Sequence, residues 1–238
     1  MLRALAFLLA MLTVAAPVSA QADDPCAYAR KKPWGYACQE TAKKPAGDAF
    51  FEDALMIGDS ICASLNNYDV LPELWIETVI GQSAHAVHQL RNLPYGGKKI
   101  SMLDLIRDEQ PEKLLIMIGS NGVDYKKAED AIVGYHEMLD KVLEAAPDTK
   151  IYLLTVTPVR SHAQKKYPRL VPENIAAFNQ ALYALAESHG VHYIDVTTPL
   201  LDEEGVWIDR AYAAGDGIHI SKEGAERAAE AIRMQVSR

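Results

Sequence analysis

Residues 54–61 read Ala54-Leu55-Met56-Ile57-Gly58-Asp59-Ser60-Ile61. A short apolar run ends in three turn-favouring residues, and Ile61 to Asn66 then fits the start of a helix. A buried strand passed through a tight turn into a helix is the repeating unit of a parallel α/β sheet.

The same pattern recurs outward along the chain. Trp75 to Ile80 is a second strand candidate, and Leu114-Leu115-Ile116-Met117-Ile118 is the clearest strand, closed by Gly119. Ile151 to Val156 and Val191 to Val196 supply the fourth and fifth. Between them, Ala84 to Leu93 and Ile100 to Asp108 read as helices separated by Pro94-Tyr95-Gly96-Gly97. Lys127 to Ala146 has helical periodicity, with Ala131, Ile132, Tyr135, Met138, Leu139, Val142 and Leu143 on one face and Pro147-Asp148 as its stop. Glu173 to Ser188 is a long helix ended by Gly190, and Ser221 is an apt N-cap for a last helix toward Gln235. Five β runs alternating with helices predict a parallel sheet covered on both faces.

The first residues have a different character. Met1-Leu2-Arg3 is a short basic start, Ala4 to Ala16 is almost wholly apolar, and Val18-Ser19-Ala20 places small residues where a signal peptidase reads them. Residues 1–20 are therefore expected to be a cleaved signal peptide, and the protein to be exported, periplasmic or secreted. The alternative is an uncleaved anchor, for which the run is short of the roughly 20 residues of a bilayer span. Residues 21–47, polar and punctuated by Pro25, Pro33 and Pro45, read as an irregular arm, and residues 48–238 as one domain. The 238 residues carry 24 Lys+Arg against 32 Asp+Glu, a net charge of −8. That balance argues against nucleic acid or an anionic membrane as main partner, and no stable membrane insertion is expected once the signal is removed. Cys26 and Cys38 flank a turn-rich stretch and are expected to form a disulfide in an oxidising compartment, with two independent thiols as the alternative. Cys62 is then the odd cysteine, a small buried helix residue rather than a nucleophile.

In open parallel sheets, sites form beyond the carboxyl ends of the strands. Those positions hold Gly58-Asp59-Ser60, Gly81, Gly119-Ser120-Asn121 and, through a longer excursion, Asp216-Gly217-Ile218-His219. With strand order 2-1-3-4-5, Ser60, Gly81 and Asn121 converge. A serine hydroxyl needs a base to become a nucleophile. His219 is a base of suitable type, and Asp216 can orient its imidazole. The Ser60 backbone N–H at a helix start, the Gly81 backbone N–H and the Asn121 side-chain amide are donors for an oxyanion. Singly, each of these motifs is equally a turn signal; their order and placement make them a mechanism.

The set Ser60, Gly81, Asn121 and His219 resembles the four blocks that name the SGNH (GDSL) hydrolases. The resemblance runs from about Ala54 to His219 and into the last helix. It implies a flavodoxin-like, three-layer α/β/α sandwich that hydrolyses esters or thioesters, with no cofactor and no metal. One departure is Gly122, where the third block usually continues Asn-Asp.

Other candidates are weaker. His85 and His88 are three apart but lack a ligand nearby in sequence, and read as a solvated helix face. His136, His162, His189 and His192 read as surface or edge residues without matching partners. The loop Pro158 to Pro172, with Arg160, His162, Lys165, Lys166, Tyr167 and Arg169, follows the fourth strand. It reads either as a solvated loop or as a contact for an anionic or sugar-acid substrate. Trp207 and Tyr212 fit a pocket lining or core equally well. The expected activity is a serine ester hydrolase taking a small-molecule or glycan ester, with acetyl the expected acyl group. The alternatives are a lysophospholipase or thioesterase for longer chains, and a catalytically silent glycan-binding module.

Overall fold

A computed structural model describes residues 44–236. The expected signal peptide and the Cys26–Cys38 pair lie outside the described residues. Five parallel strands form one sheet: β1 (Ala54–Gly58), β2 (Trp75–Thr78), β5 (Lys113–Met117), β6 (Lys150–Leu154) and β7 (His192–Ile194). Their order is β2-β1-β5-β6-β7, which is the expected 2-1-3-4-5 among the sheet strands.

Alternation along the buried strands divides the interior in two. Leu55, Ile57, Leu114, Ile116 and Leu153 face one layer, formed by α2 (Met102–Glu109), α4 (Ala128–Ala145) and α5 (Pro172–His189). Met56, Leu115, Met117 and Leu154 face the other, formed by α1 (Ser60–Asn67) and α6 (Lys222–Val236). Because both faces are covered, β1 is buried at every position, which is why it reads as an unbroken apolar run.

Local chemistry sets the joints that carry the site. Gly58 lets α1 fold back against β1: a Cβ there would lie 2.0 Å from Cys62 Cβ and 3.1 Å from Met117 O. Asp59 caps α1 by accepting the Ile61 N–H at 2.9 Å. On the far side, the buried Asn179 of α5 accepts the Val156 N–H (2.8 Å) and donates to Val156 O (3.0 Å), closing the backbone where β6 ends. Pro172 starts α5, and Gly190, at φ +65°, ends it.

The stretch from Ala84 to Leu93 departs from the expected helix. Only Ala84–Ala86 forms a single 3₁₀ turn, and β3 (Leu93–Tyr95) pairs antiparallel with β4 (Lys98–Ile100). Pro94 disfavours helical backbone at Leu93. Gly96 and Gly97, at φ +56° and +79°, form the two-residue hairpin connection that left-handed backbone permits. The remaining short helix is α3 (Ser120–Tyr125), directly after β5. Among the described residues no helix is long and apolar enough to cross a membrane.

Candidate active site

The turn after β1 and the loop before α6 meet across a histidine. His219 Nδ1 lies 2.6 Å from Asp216 Oδ2, and its Nε2 lies 3.0 Å from Ser60 Oγ. A carboxylate only accepts, so Nδ1 carries the proton and donates to Asp216. In the neutral ring Nε2 then accepts from the Ser60 hydroxyl. Ser60, His219 and Asp216 are thus brought together as the sequence predicts.

The histidine loop is held by its own backbone. Asp216 Oδ1 accepts the Ile218 and His219 N–H groups at 2.9 and 3.0 Å. Gly217, at φ +77°, makes the turn and donates to Ala214 O, while Ala214 N–H donates to His219 O at 2.7 Å. Partial burial works to raise the Asp216 pKa, but the His219 and backbone donors outweigh it and hold the carboxyl below its usual range. Ser221 caps the following helix, accepting from Gly224 N–H at 3.1 Å and donating to Ala211 O at 2.6 Å.

The oxyanion candidates cluster around Asp59, a residue that sequence reasoning placed only in the first motif. Asp59 is 2 % exposed. Its Oδ2 accepts from Ser120 Oγ at 2.8 Å, and from Gly119 N and Asn121 Nδ2 at 3.4 Å each. Burial pushes its pKa up against these donors. Asn121 Nδ2 also donates to Gln82 O at 3.1 Å, which ties the loop after β5 to the loop after β2. Gly81, at φ +77° and exposed, precedes that carbonyl, and its N–H has no acceptor among the described residues. Space does not demand glycine at 122, since a Cβ there would meet only Ala131 Cβ, at 3.7 Å. Bracing falls instead to Asp59 with Ser120 and Asn121. The one available signal for this hub was Asp59 as an N-cap residue; its reach to β5 depends on the strand order.

A cleft of about 570 Å³ opens beside Asn121, with Ser83, His85, Tyr125, Val133 and Glu137 in its walls. Tyr125 and Val133 are 76 % and 64 % exposed. His85 is exposed, as expected, while His88 is largely covered, and both imidazoles lie against Glu137, at 3.1 and 3.3 Å. Among the described residues no group of three or more His, Cys, Asp or Glu side chains is placed to hold a metal ion.

Other histidines also find partners that sequence distance concealed. His189 Nε2 lies 3.5 Å from Asp140 Oδ1, the His136 ring is 5.9 Å from that of His189, and His192 stacks on Tyr152 at 4.6 Å. His162 sits on the Gly217 turn, so that a Cβ at Gly217 would be 2.6 Å from its Nε2. Cys62 is fully buried beside Gly58 and its thiol pKa is pushed up by burial, so it is a small core residue. Tyr212 packs against the α1/α6 core. Trp207 is half-buried in a turn where its N–H donates to Asp202 Oδ1 at 3.3 Å.

This chain belongs to the GDSL-like lipase/acylhydrolase family, whose sequence profile matches residues 56–227. Solved structures share the fold at low identity. A GDSL-like lipase from Bacteroides thetaiotaomicron is 15 % identical with a TM-score of 0.60, the match covering 79 % of this chain and 89 % of that one. A carbohydrate esterase family 3 protein from Talaromyces cellulolyticus is 16 % identical, with a TM-score of 0.56 and coverage of 77 % and 96 %. The periplasmic domain of a lipopolysaccharide acetyltransferase from Salmonella ser. Paratyphi A is 18 % identical, with a TM-score of 0.54 and coverage of 79 % and 84 %. No curated protein matches the chain at comparable significance.

Proposed function

We propose that this protein is an exported serine ester hydrolase that removes small acyl groups, acetyl foremost, from carbohydrate or cell-envelope glycan. The observation that carries the reading is the relay from Asp216 through His219 to Ser60, at 2.6 and 3.0 Å. His219 takes the Ser60 proton as the oxygen attacks the ester carbonyl, and Asp216 stabilises the imidazolium that forms. His219 then returns the proton to the departing alcohol, leaving the acyl group on Ser60. Water, activated by the same imidazole, releases the acid.

The negative oxygen of each tetrahedral intermediate would be met by the Ser60 and Gly81 N–H groups and by Asn121. The 3.4 Å contact from Asn121 to Asp59 is at the long limit of hydrogen bonding, so its hydrogen is the one an oxyanion would recruit. Export rests on the apolar N-terminal segment and its small-residue cleavage site. The glycan ester reading draws support from the names of two fold neighbours, a carbohydrate esterase and a lipopolysaccharide acetyltransferase domain.

The second reading, hydrolysis of longer acyl chains, draws on the exposed Tyr125 and Val133 at the mouth of the cleft beside Asn121. A p-nitrophenyl ester series separates the two. The proposal expects the highest kcat/KM on acetate; a preference for octanoate would transfer the protein to the lysophospholipase or thioesterase class. Product analysis with a glycan acceptor distinguishes hydrolysis from acyl transfer, which shares the acyl-enzyme.

A further inference from the structure

A second cleft, of about 410 Å³, lies beside the histidine loop and is walled by Arg160, His162, Arg210, Ala213, Ala214 and Gly215. We infer that it binds an anionic group, a carboxylate or phosphate, on the alcohol portion of the ester; this rests on the esterase reading above and names its substrate class.

Three lines of geometry converge there. The first is the attachment of the cleft to the relay. Arg160 N–H donates to Gly217 O at 2.7 Å, and His162 covers the Gly217 turn between Asp216 and His219. The loop after β6 and the relay loop are thus one bonded unit, and a group held in the cleft sits within a few residues of the base. The second is charge. Every side chain in the wall with more than a methyl group is cationic or imidazole, and none of the three forms an ion pair among the described residues. Lys165 and Lys166 follow His162 in the same loop, and Lys166 Nζ lies over the Tyr167 ring at 5.0 Å. The third is that the nearby carboxylates take donors from their own loops rather than from Arg160 or Arg210. Asp216 accepts from His219 and two backbone N–H groups, and Asp209 accepts the Ala211 N–H at 2.7 Å.

The Arg160 Nη1 also donates to Ile208 O at 2.8 Å, which fixes its guanidinium at the rim. Arg210 is exposed and offers a planar, permanently charged fork suited to a carboxylate or phosphate. A net charge of −8 on the whole chain gives anions no long-range attraction, so their capture here depends on these local donors.

The test compares monoacetates of methyl glucoside, glucuronic acid and glucose phosphate, with p-nitrophenyl acetate as a reporter of esterase chemistry. The inference expects kcat/KM on one of the acidic sugars to exceed the neutral one about tenfold, mainly through KM, and to lose that margin in about 0.5 M salt. Which acidic sugar leads decides between carboxylate and phosphate. Arg210→Gln should cut the acidic-to-neutral ratio about tenfold and Arg210→Lys should restore part of it. Lys150→Gln, at the opposite end of β6, should leave the ratio alone. An acidic-to-neutral ratio near one in the wild type, or a ratio indifferent to Arg210→Gln, overturns the inference while p-nitrophenyl acetate turnover keeps the esterase reading. If p-nitrophenyl acetate is also untouched, the esterase reading falls. Calorimetric titration of glucuronate and inorganic phosphate then decides the cleft: saturable binding lost in Arg210→Gln supports it, and no binding refutes it.

Discussion

Two aspartates flank Ser60 and His219, and their environments work in opposite directions. Asp59 is 2 % exposed inside the turn after β1, and burial raises its pKa despite donors from Ile61, Gly119 and Ser120. The Asp216 side chain is 50 % exposed on the loop before α6, and donors from His219 and the backbone lower its pKa. Hydrogen bonds lower a carboxylate pKa only where they outweigh the cost of burial, as they do at Asp216 and do not at Asp59. The difference also separates the work. The buried carboxylate is a structural hub that ties the turn after β1 to the loop after β5. The exposed one is placed to polarise a base.

The largest effects should fall on the exposed side of this comparison. Ser60→Ala and His219→Ala are expected to lower ester turnover about 10⁴-fold or more, with far-UV circular dichroism and Tm unchanged. Asp216→Asn should cost about 10²- to 10⁴-fold in kcat while leaving the fold intact. If it costs nothing, the two aspartates do not differ in the way described. Asn121→Ala should lower kcat about 10²- to 10³-fold with little change in KM, the signature of a donor used in the transition state.

The buried side should answer in stability instead. Gly58→Ala drives a methyl into Cys62 and is expected to cost about 1–3 kcal/mol by chemical denaturation. Asp59→Ala removes the cap of α1 and leaves the Ser120 hydroxyl and Gly119 N–H without their acceptor, for about 2 kcal/mol or more.

The smallest expected effects concern pH and sharpen the contrast. Because the Asp216 pKa is depressed when folded, its stabilisation is present above the unfolded value of 3.8 and fades as pH falls through the folded one. The Asp59 pKa is raised, so the folded state holds that proton more tightly, and its ionisation costs stability as pH rises from 3.8 through the folded value. Across acidic pH the stability difference from wild type, measured by denaturation, should change in opposite directions for Asp59→Asn and Asp216→Asn. Parallel changes would erase the distinction.

Much of this arrangement is legible in the chain because it is local. Ala54 to Ile57 and Leu114 to Ile118 announce buried parallel strands by being continuously apolar, and the residues after them lie where such sheets build sites. Asp216 and His219 are three apart, so their pairing needs only one turn. What escaped depends on distant partners or on competing local rules. Asp59 reaches Ser120 and Asn121 only because β1 and β5 are neighbours. His85 and His88 meet Glu137 only because the turn after β2 packs against α4. From Ala84 to Leu93, apolar spacing suggested a helix, but Pro94 and the Gly96-Gly97 pair turned its end into a hairpin.

In the proposed reaction Ser60 carries the acyl group because His219, held by Asp216, takes its proton. A fluorophosphonate ester reacts irreversibly with such a serine, and intact-protein and peptide mass spectrometry locates the adduct. One adduct is expected, on the peptide containing Ser60, formed in the wild type and absent from both Ser60→Ala and His219→Ala. Labelling at Ser120, at Cys62, or at Ser60 undiminished in His219→Ala would contradict it.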